Sequence, residues 1–132
     1  MELAQIYGST FQALGAMALL MLLQVLVADV VGIRARHTPG SLVTANHDDL
    51  LFRTSRTVAN TNETIAIFLL ATLFCVLTSA SPAYTAYAAW AFVTCRALYA
   101  CCYYANLQIA RSTVFGLALL CLAALLVIGA VS

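Results

Sequence analysis

The chain of 132 residues contains no lysine, and charged residues make up only 8% of it, against about a quarter in soluble domains. Charge so sparse excludes a water-facing surface over most of the molecule. With a net charge of +1 there is no basic surface of the kind nucleic acid needs, so nucleic acid is not an expected partner. No Lys or Arg occurs before Phe11, and a cleaved signal peptide requires a positive n-region, so the first hydrophobic stretch is expected to remain in the protein. The five cysteines are odd in number and form no Cys-x-x-Cys or Cys/His metal spacing. They read as small apolar fillers, and no metal site is expected. No pair of Gly/Pro-broken helices is present to support alternating access, which argues against a transporter.

What is present is hydrophobic: 64% of the residues. A bilayer-crossing helix needs about 20 apolar residues. The sequence offers four such stretches, at about 10–32, 57–79, 83–106 and 112–131. The expected fold is therefore all-α, an integral membrane four-helix bundle forming one domain over residues 1–132. Of the six arginines, Arg34, Arg36, Arg53 and Arg56 lie at or beside the first connection and Arg111 at the third. Positively charged loops stay cytoplasmic, so both termini are expected on the non-cytoplasmic side. The first connection holds His37, Pro39, Gly40, Asn46, His47, Asp48 and Asp49 and reads as a true loop. Its histidines are irregularly spaced and read as solvated residues. The Asn62-Glu63-Thr64 sequon lies on the expected cytoplasmic side, where glycosylation does not occur.

Depth separates the remaining polar residues. Arg53, Arg56, Asn60 and Glu63 follow steps of three, four and three and form one stripe on the second helix. Glu63 lies roughly 10 Å deeper than Arg56 at 1.5 Å per residue. On the third helix Arg96, Tyr99 and Tyr103 share a face, with Arg96 roughly 15 Å from the cytoplasmic end. An intramembrane charge costs on the order of 3 kcal/mol, so Arg96 is expected to face inward and to pair with Glu63. One pair could merely join two helices. The extension of both faces by Arg56, Asn60, Tyr99 and Tyr103 towards Arg111 instead points to a polar cavity for an anionic ligand.

Arg56-x-x-x-Asn60-x-x-Glu63, then Arg96-x-x-Tyr99-x-x-x-Tyr103, then Arg111-Ser112, resembles the family of membrane-associated proteins in eicosanoid and glutathione metabolism (MAPEG), in its microsomal glutathione transferase-like form. The resemblance covers the whole chain in length and helix count. It implies a homotrimer with glutathione bound between subunits at the cytoplasmic side. Arg56, Asn60, Glu63, Tyr99 and Tyr103 would hold the tripeptide, with Arg34 or Arg36 as a further contact. Arg53 and Arg96 complete the binding set through the stripes described above. Arg111 would be catalytic, its guanidinium favouring the thiolate, with Ser112 donating a second hydrogen bond to sulfur. The pattern departs from relatives at Ile67, where many have proline, at Ala59, and at Phe115, where the prostaglandin synthase has tyrosine.

The leading expectation is a glutathione-dependent transferase or peroxidase acting on lipophilic electrophiles or hydroperoxides that enter from the bilayer. The alternative is a non-catalytic, lipid-binding or accessory subunit of the same fold, which the departures motivate. Arginine without lysine and abundant alanine suggest a GC-rich genome, so a bacterial cytoplasmic membrane is favoured, or the endoplasmic reticulum if the source is eukaryotic.

Overall fold

The computed structural model describes residues 2–132. Five helices follow in order: α1 (Glu2–Ile6), α2 (Gly8–Arg34), α3 (Leu50–Leu77), α4 (Pro82–Tyr104) and α5 (Gln108–Ala130). The two polar-ended helices start earlier than the apolar spans suggest. For α3 the cause is Asp49, whose side chain accepts from the Leu51 amide at 3.0 Å and caps the helix well before its apolar part begins. Arg53 and Arg56 are therefore helical. Similarly α5 begins at Gln108, which places Arg111 and Ser112 in its first turns. Pro82 opens α4 in the first turn, where its missing N–H costs nothing. With Ile67 in place of proline, α3 runs continuously to Leu77.

Three helices end alike. After α2, α3 and α4 the chain passes through a left-handed residue, Arg36 (φ 53°), Ser79 (φ 56°) and Asn106 (φ 58°). In each case the following amide reaches back to a carbonyl of the last turn: His37 to Gly32 at 3.0 Å, Ala80 to Cys75 at 2.9 Å and Leu107 to Cys102 at 2.8 Å. These are Schellman closures made without glycine. Ser79 carries a Cβ that disfavours this conformation by roughly 1 kcal/mol. Ser79→Gly is expected to stabilise the protein by up to that amount, read as a higher thermal midpoint in detergent.

The four long helices run alternately up and down. Tyr7 donates to the Ala80 carbonyl at 2.6 Å, fixing the start of α2 beside the α3–α4 turn. Cys75 donates to the Leu125 carbonyl at 3.1 Å, tying α3 to the far part of α5. Both described termini thus share one end with the Ala80 turn, and the arginine-bearing connections share the other. Between the helices, Ala13, Met17, Ala71, Ala89, Ala118 and Leu125 are buried around the stacked rings of Phe68 and Phe92, 4.5 Å apart. Alanines at these contacts let the backbones approach closely, since burial from lipid brings no hydrophobic gain. A methyl group added at Gly129 would lie 2.6 Å from the Phe74 ring. Phe74 is partly exposed and can swing aside, so Gly129→Ala is expected to cost about 1–2 kcal/mol, measurable as a lowered unfolding midpoint.

Three helices, α2, α3 and α5, are long and apolar enough to cross a membrane. The expectation of four such spans is met in three, because α4 carries Arg96 and five tyrosines among its alanines. Outward-facing Leu19, Leu22, Leu26 and Val30 of α2 and Leu120 and Val127 of α5 give the molecule an apolar exterior.

Candidate functional site

The site grows from the inward face of α3. Thr54, Thr57, Thr61, Thr64, Phe68, Thr72 and Cys75 recur at three- and four-residue steps and are buried. Threonine suits a helix in this setting because its hydroxyl can bond a carbonyl of the preceding turn. Thr57 donates to Arg53 O at 2.8 Å and Thr64 to Thr61 O at 3.2 Å.

Against this face stands Arg96 of α4, fully buried. Its Nη2 donates to Asn60 Oδ1 at 2.8 Å and to Thr61 Oγ1 at 3.0 Å. The Thr61 hydroxyl in turn donates to Gln24 Oε1 of α2 at 2.8 Å. One guanidinium thus ties three helices through neutral oxygens. The Nε and Nη1 atoms of Arg96 and Nε2 of Gln24 are buried without a hydrogen-bond partner.

Glu63 does not take the place expected for it. Its carboxylate accepts from Arg56 Nη1 at 3.3 Å and from Asn60 Nδ2 at 3.4 Å, both on its own helix. The reason is angular. At about 100° per residue Glu63 projects roughly 200° around the helix from Thr61, so it lies on the flank while Asn60 and Thr61 reach Arg96. Arg56 and Glu63 are 41% and 55% exposed in their side chains. So open an ion pair contributes at most about 1 kcal/mol, and an incoming ligand can displace it.

From Arg96 an aromatic wall leads to the arginine-bearing end. The Arg96 guanidinium carbon lies 4.5 Å from the centroid of Tyr99. Tyr99 meets Tyr103 edge-on at 5.6 Å and Phe115 of α5 at 6.0 Å. The Arg111 guanidinium covers Tyr103 at 4.3 Å. His47, from the long connection, lies 6.0 Å from the same ring and is held there by Arg53, which donates to the His47 carbonyl at 2.7 Å. Two cations on π-faces at opposite ends of a buried tyrosine pair give the wall a positive character.

The structure therefore brings together Arg56, Asn60, Glu63, Arg96, Tyr99, Tyr103 and Arg111. Arg53 acts on the loop. Arg34 ends α2 and Arg36 occupies its left-handed closure, both exposed and apart from this network. Ser112 is exposed, and its hydroxyl donates to Gln108 O at 3.0 Å in its own helix. Asp29 is exposed and lines, with His37, Pro39, Gly40, Leu51 and Ser55, a separate cleft of about 490 Å³ beneath the connection. Sequence reasoning missed Gln24, Thr61 and His47. Gln24 carried a signal, an amide in mid-span of an apolar helix, which is costly unless bonded. Thr61 and His47 carried none, since threonine is common on such faces and loop histidines are usually solvated.

A family model described as the MAPEG family matches residues 12–131. No curated protein matches the chain significantly.

Proposed function

Because the chain belongs to the MAPEG family, a family of membrane proteins that includes glutathione transferases and peroxidases as well as non-catalytic members, we propose that it is a glutathione-dependent transferase or peroxidase acting on lipophilic electrophiles or hydroperoxides. The observation that carries this reading is the wall Arg96–Tyr99–Tyr103–Arg111, with Asn60, Arg56 and Glu63 beside it. In this reading α4 spans the bilayer with its three neighbours, the arginine-bearing end faces the cytoplasm, and three copies assemble so that the exposed Arg56–Glu63 flank is covered. The membrane is a bacterial cytoplasmic membrane, or the endoplasmic reticulum in a eukaryote.

Glutathione is anionic at neutral pH, and the displaceable Arg56–Glu63 pair offers a cation for its carboxylates and a carboxylate for its amine. Its thiol, near 8.5 in water, ionises more readily beside Arg111. The thiolate then attacks. With an electrophile, an S–C bond forms as the leaving group departs. With a hydroperoxide, sulfur takes one oxygen as the O–O bond breaks, releasing an alcohol, and a second glutathione resolves the sulfenic acid to disulfide and water. The outward apolar faces of α2 and α5 let lipophilic substrates approach through the bilayer.

Isothermal titration with glutathione in detergent, paired with a chromogenic electrophile assay, tests the proposal. Measurable heat and saturable turnover are expected, and no binding at millimolar thiol would sink it. One observation favours the non-catalytic alternative: α5 presents Phe115, without a hydroxyl, to Tyr99. That reading predicts assembly without turnover and co-purification with a larger complex.

A further inference from the structure

Thr61 stands apart from the other threonines. Where threonine hydroxyls donate among the described residues, those of Thr54, Thr57, Thr64, Thr78, Thr85 and Thr113 go to carbonyls three or four residues earlier in the chain. That is the ordinary choice within a helix. Thr61 alone gives its proton to another helix, to Gln24. Donating there turns its oxygen lone pairs towards Arg96, which uses them at 3.0 Å. Gln24 thus fixes the direction of the hydroxyl that holds the guanidinium.

The identity of this amide matters for charge. A glutamate is nearly the same shape, keeps the acceptor, and would supply the carboxylate that a buried guanidinium usually finds. Glutamine keeps the geometry and leaves the guanidinium bonded to neutral oxygens alone. The charged and titratable groups acting on Arg96 are Tyr99 and Cys95 of its own helix and Glu63 of α3, which is turned to Arg56. From α2 the neutral Gln24 reaches it through Thr61, while Asp29 and Arg34 of that helix are exposed. From α5 the nearest cation is Arg111, which acts on Tyr99 through the same wall.

We infer that Gln24 is a positioning residue that holds Arg96 behind Tyr99 as a guanidinium with no carboxylate hydrogen-bonded to it, so that Arg96 acts at a distance with Arg111 to favour the thiolate of bound glutathione. The inference rests on the glutathione reading above and deepens it. Arg96 touches no substrate in this scheme, being fully buried, and its field passes through the buried rings of Tyr99 and Tyr103, where screening is weak. A unit charge about 10 Å away at an effective dielectric near 20 changes a thiol pKa by roughly one unit. The sign follows: cancelling a positive charge raises the thiol pKa, so more alkaline pH is needed to form the nucleophile.

The test titrates the bound thiol of glutathione by its ultraviolet thiolate absorbance in wild type, Gln24→Glu and Arg96→Gln, all as full chains in detergent. Both variants are expected to move the midpoint upward by about one pH unit. Arg96→Gln removes the buried charge outright, so an unmoved midpoint in it overturns the inference even if Gln24→Glu does not assemble. A wild-type thiolate signal whose midpoint stays put in a folded Gln24→Glu protein, or in Arg96→Gln, overturns the inference while leaving glutathione binding intact. Absence of glutathione binding in wild type overturns the functional reading itself. A mere fold defect would lower occupancy without moving the midpoint.

Discussion

On the proposed glutathione reading, Arg111→Ala is expected to lower turnover by about 100-fold or more while glutathione affinity changes only a fewfold. The expectation follows from position. Arg111 stands in the first turns of α5 with its guanidinium 4.3 Å from the Tyr103 ring, at the open end of the aromatic wall. In that reading it faces the thiolate, whereas Arg56, Asn60 and Glu63 would bind the tripeptide's carboxylates and amine. The charge on sulfur becomes decisive as the nucleophile forms, so its loss falls on kcat more than on KM. Arg111→Lys separates charge from shape. A lysine keeps the charge but not the planar stacking on Tyr103, so intermediate turnover is expected. Steady-state kinetics with a chromogenic electrophile, alongside calorimetric binding, measure both quantities. Equal losses in kcat and affinity would instead assign Arg111 to binding.

Asn60→Leu is expected to destabilise the protein by about 3 kcal/mol, the largest structural effect among the site residues. Asn60 Oδ1 is the shortest contact of the buried Arg96 guanidinium, at 2.8 Å, and two of its other nitrogens already lack partners. Removing one acceptor from a buried charge leaves a group that neither water nor lipid can satisfy. The readout is the thermal or denaturant midpoint in detergent. The double variant Asn60→Leu with Arg96→Gln is expected to recover much of the loss, because the orphaned charge goes with it. If the single variant unfolds no earlier than wild type, Arg96 does not depend on Asn60.

The residues of the site were legible in unequal degree. Arg56, Asn60 and Glu63 share a stripe that simple helical spacing exposes, and Tyr99 and Tyr103 follow Arg96 by the same rule. The pairing of Glu63 with Arg96 was not legible. Depth alone makes them partners, but depth is one coordinate, and rotation about α3 decides which residue meets α4. That rotation is set by the buried row of Thr57, Thr61, Thr64 and Phe68, so Asn60 and Thr61 reach Arg96 and Glu63 turns to Arg56. Gln24 stood visible as a mid-span amide, yet its partner lies 37 residues away, and no local pattern names it. His47 reaches Tyr103 because Arg53 ties down its carbonyl, an arrangement of loop backbone that composition does not encode.

By itself, the sequence determined that this is a helical membrane protein with five of its six arginines at or beside the connections on one end. Lengths of apolar chain and the cost of exposing charge to lipid are sums over composition, and they need no partner to be evaluated. The family resemblance is legible for a related reason, since Arg56, Asn60 and Glu63, then Arg96, Tyr99 and Tyr103, fall at helical intervals in this chain. Tertiary structure decided which of those residues touch. A hydrogen bond is satisfied within a few tenths of an ångström and along one direction, and only the packing of α2, α3 and α4 supplies both. The packing leaves Arg96 charged, buried and bound by neutral oxygens, a state the list of residues does not specify.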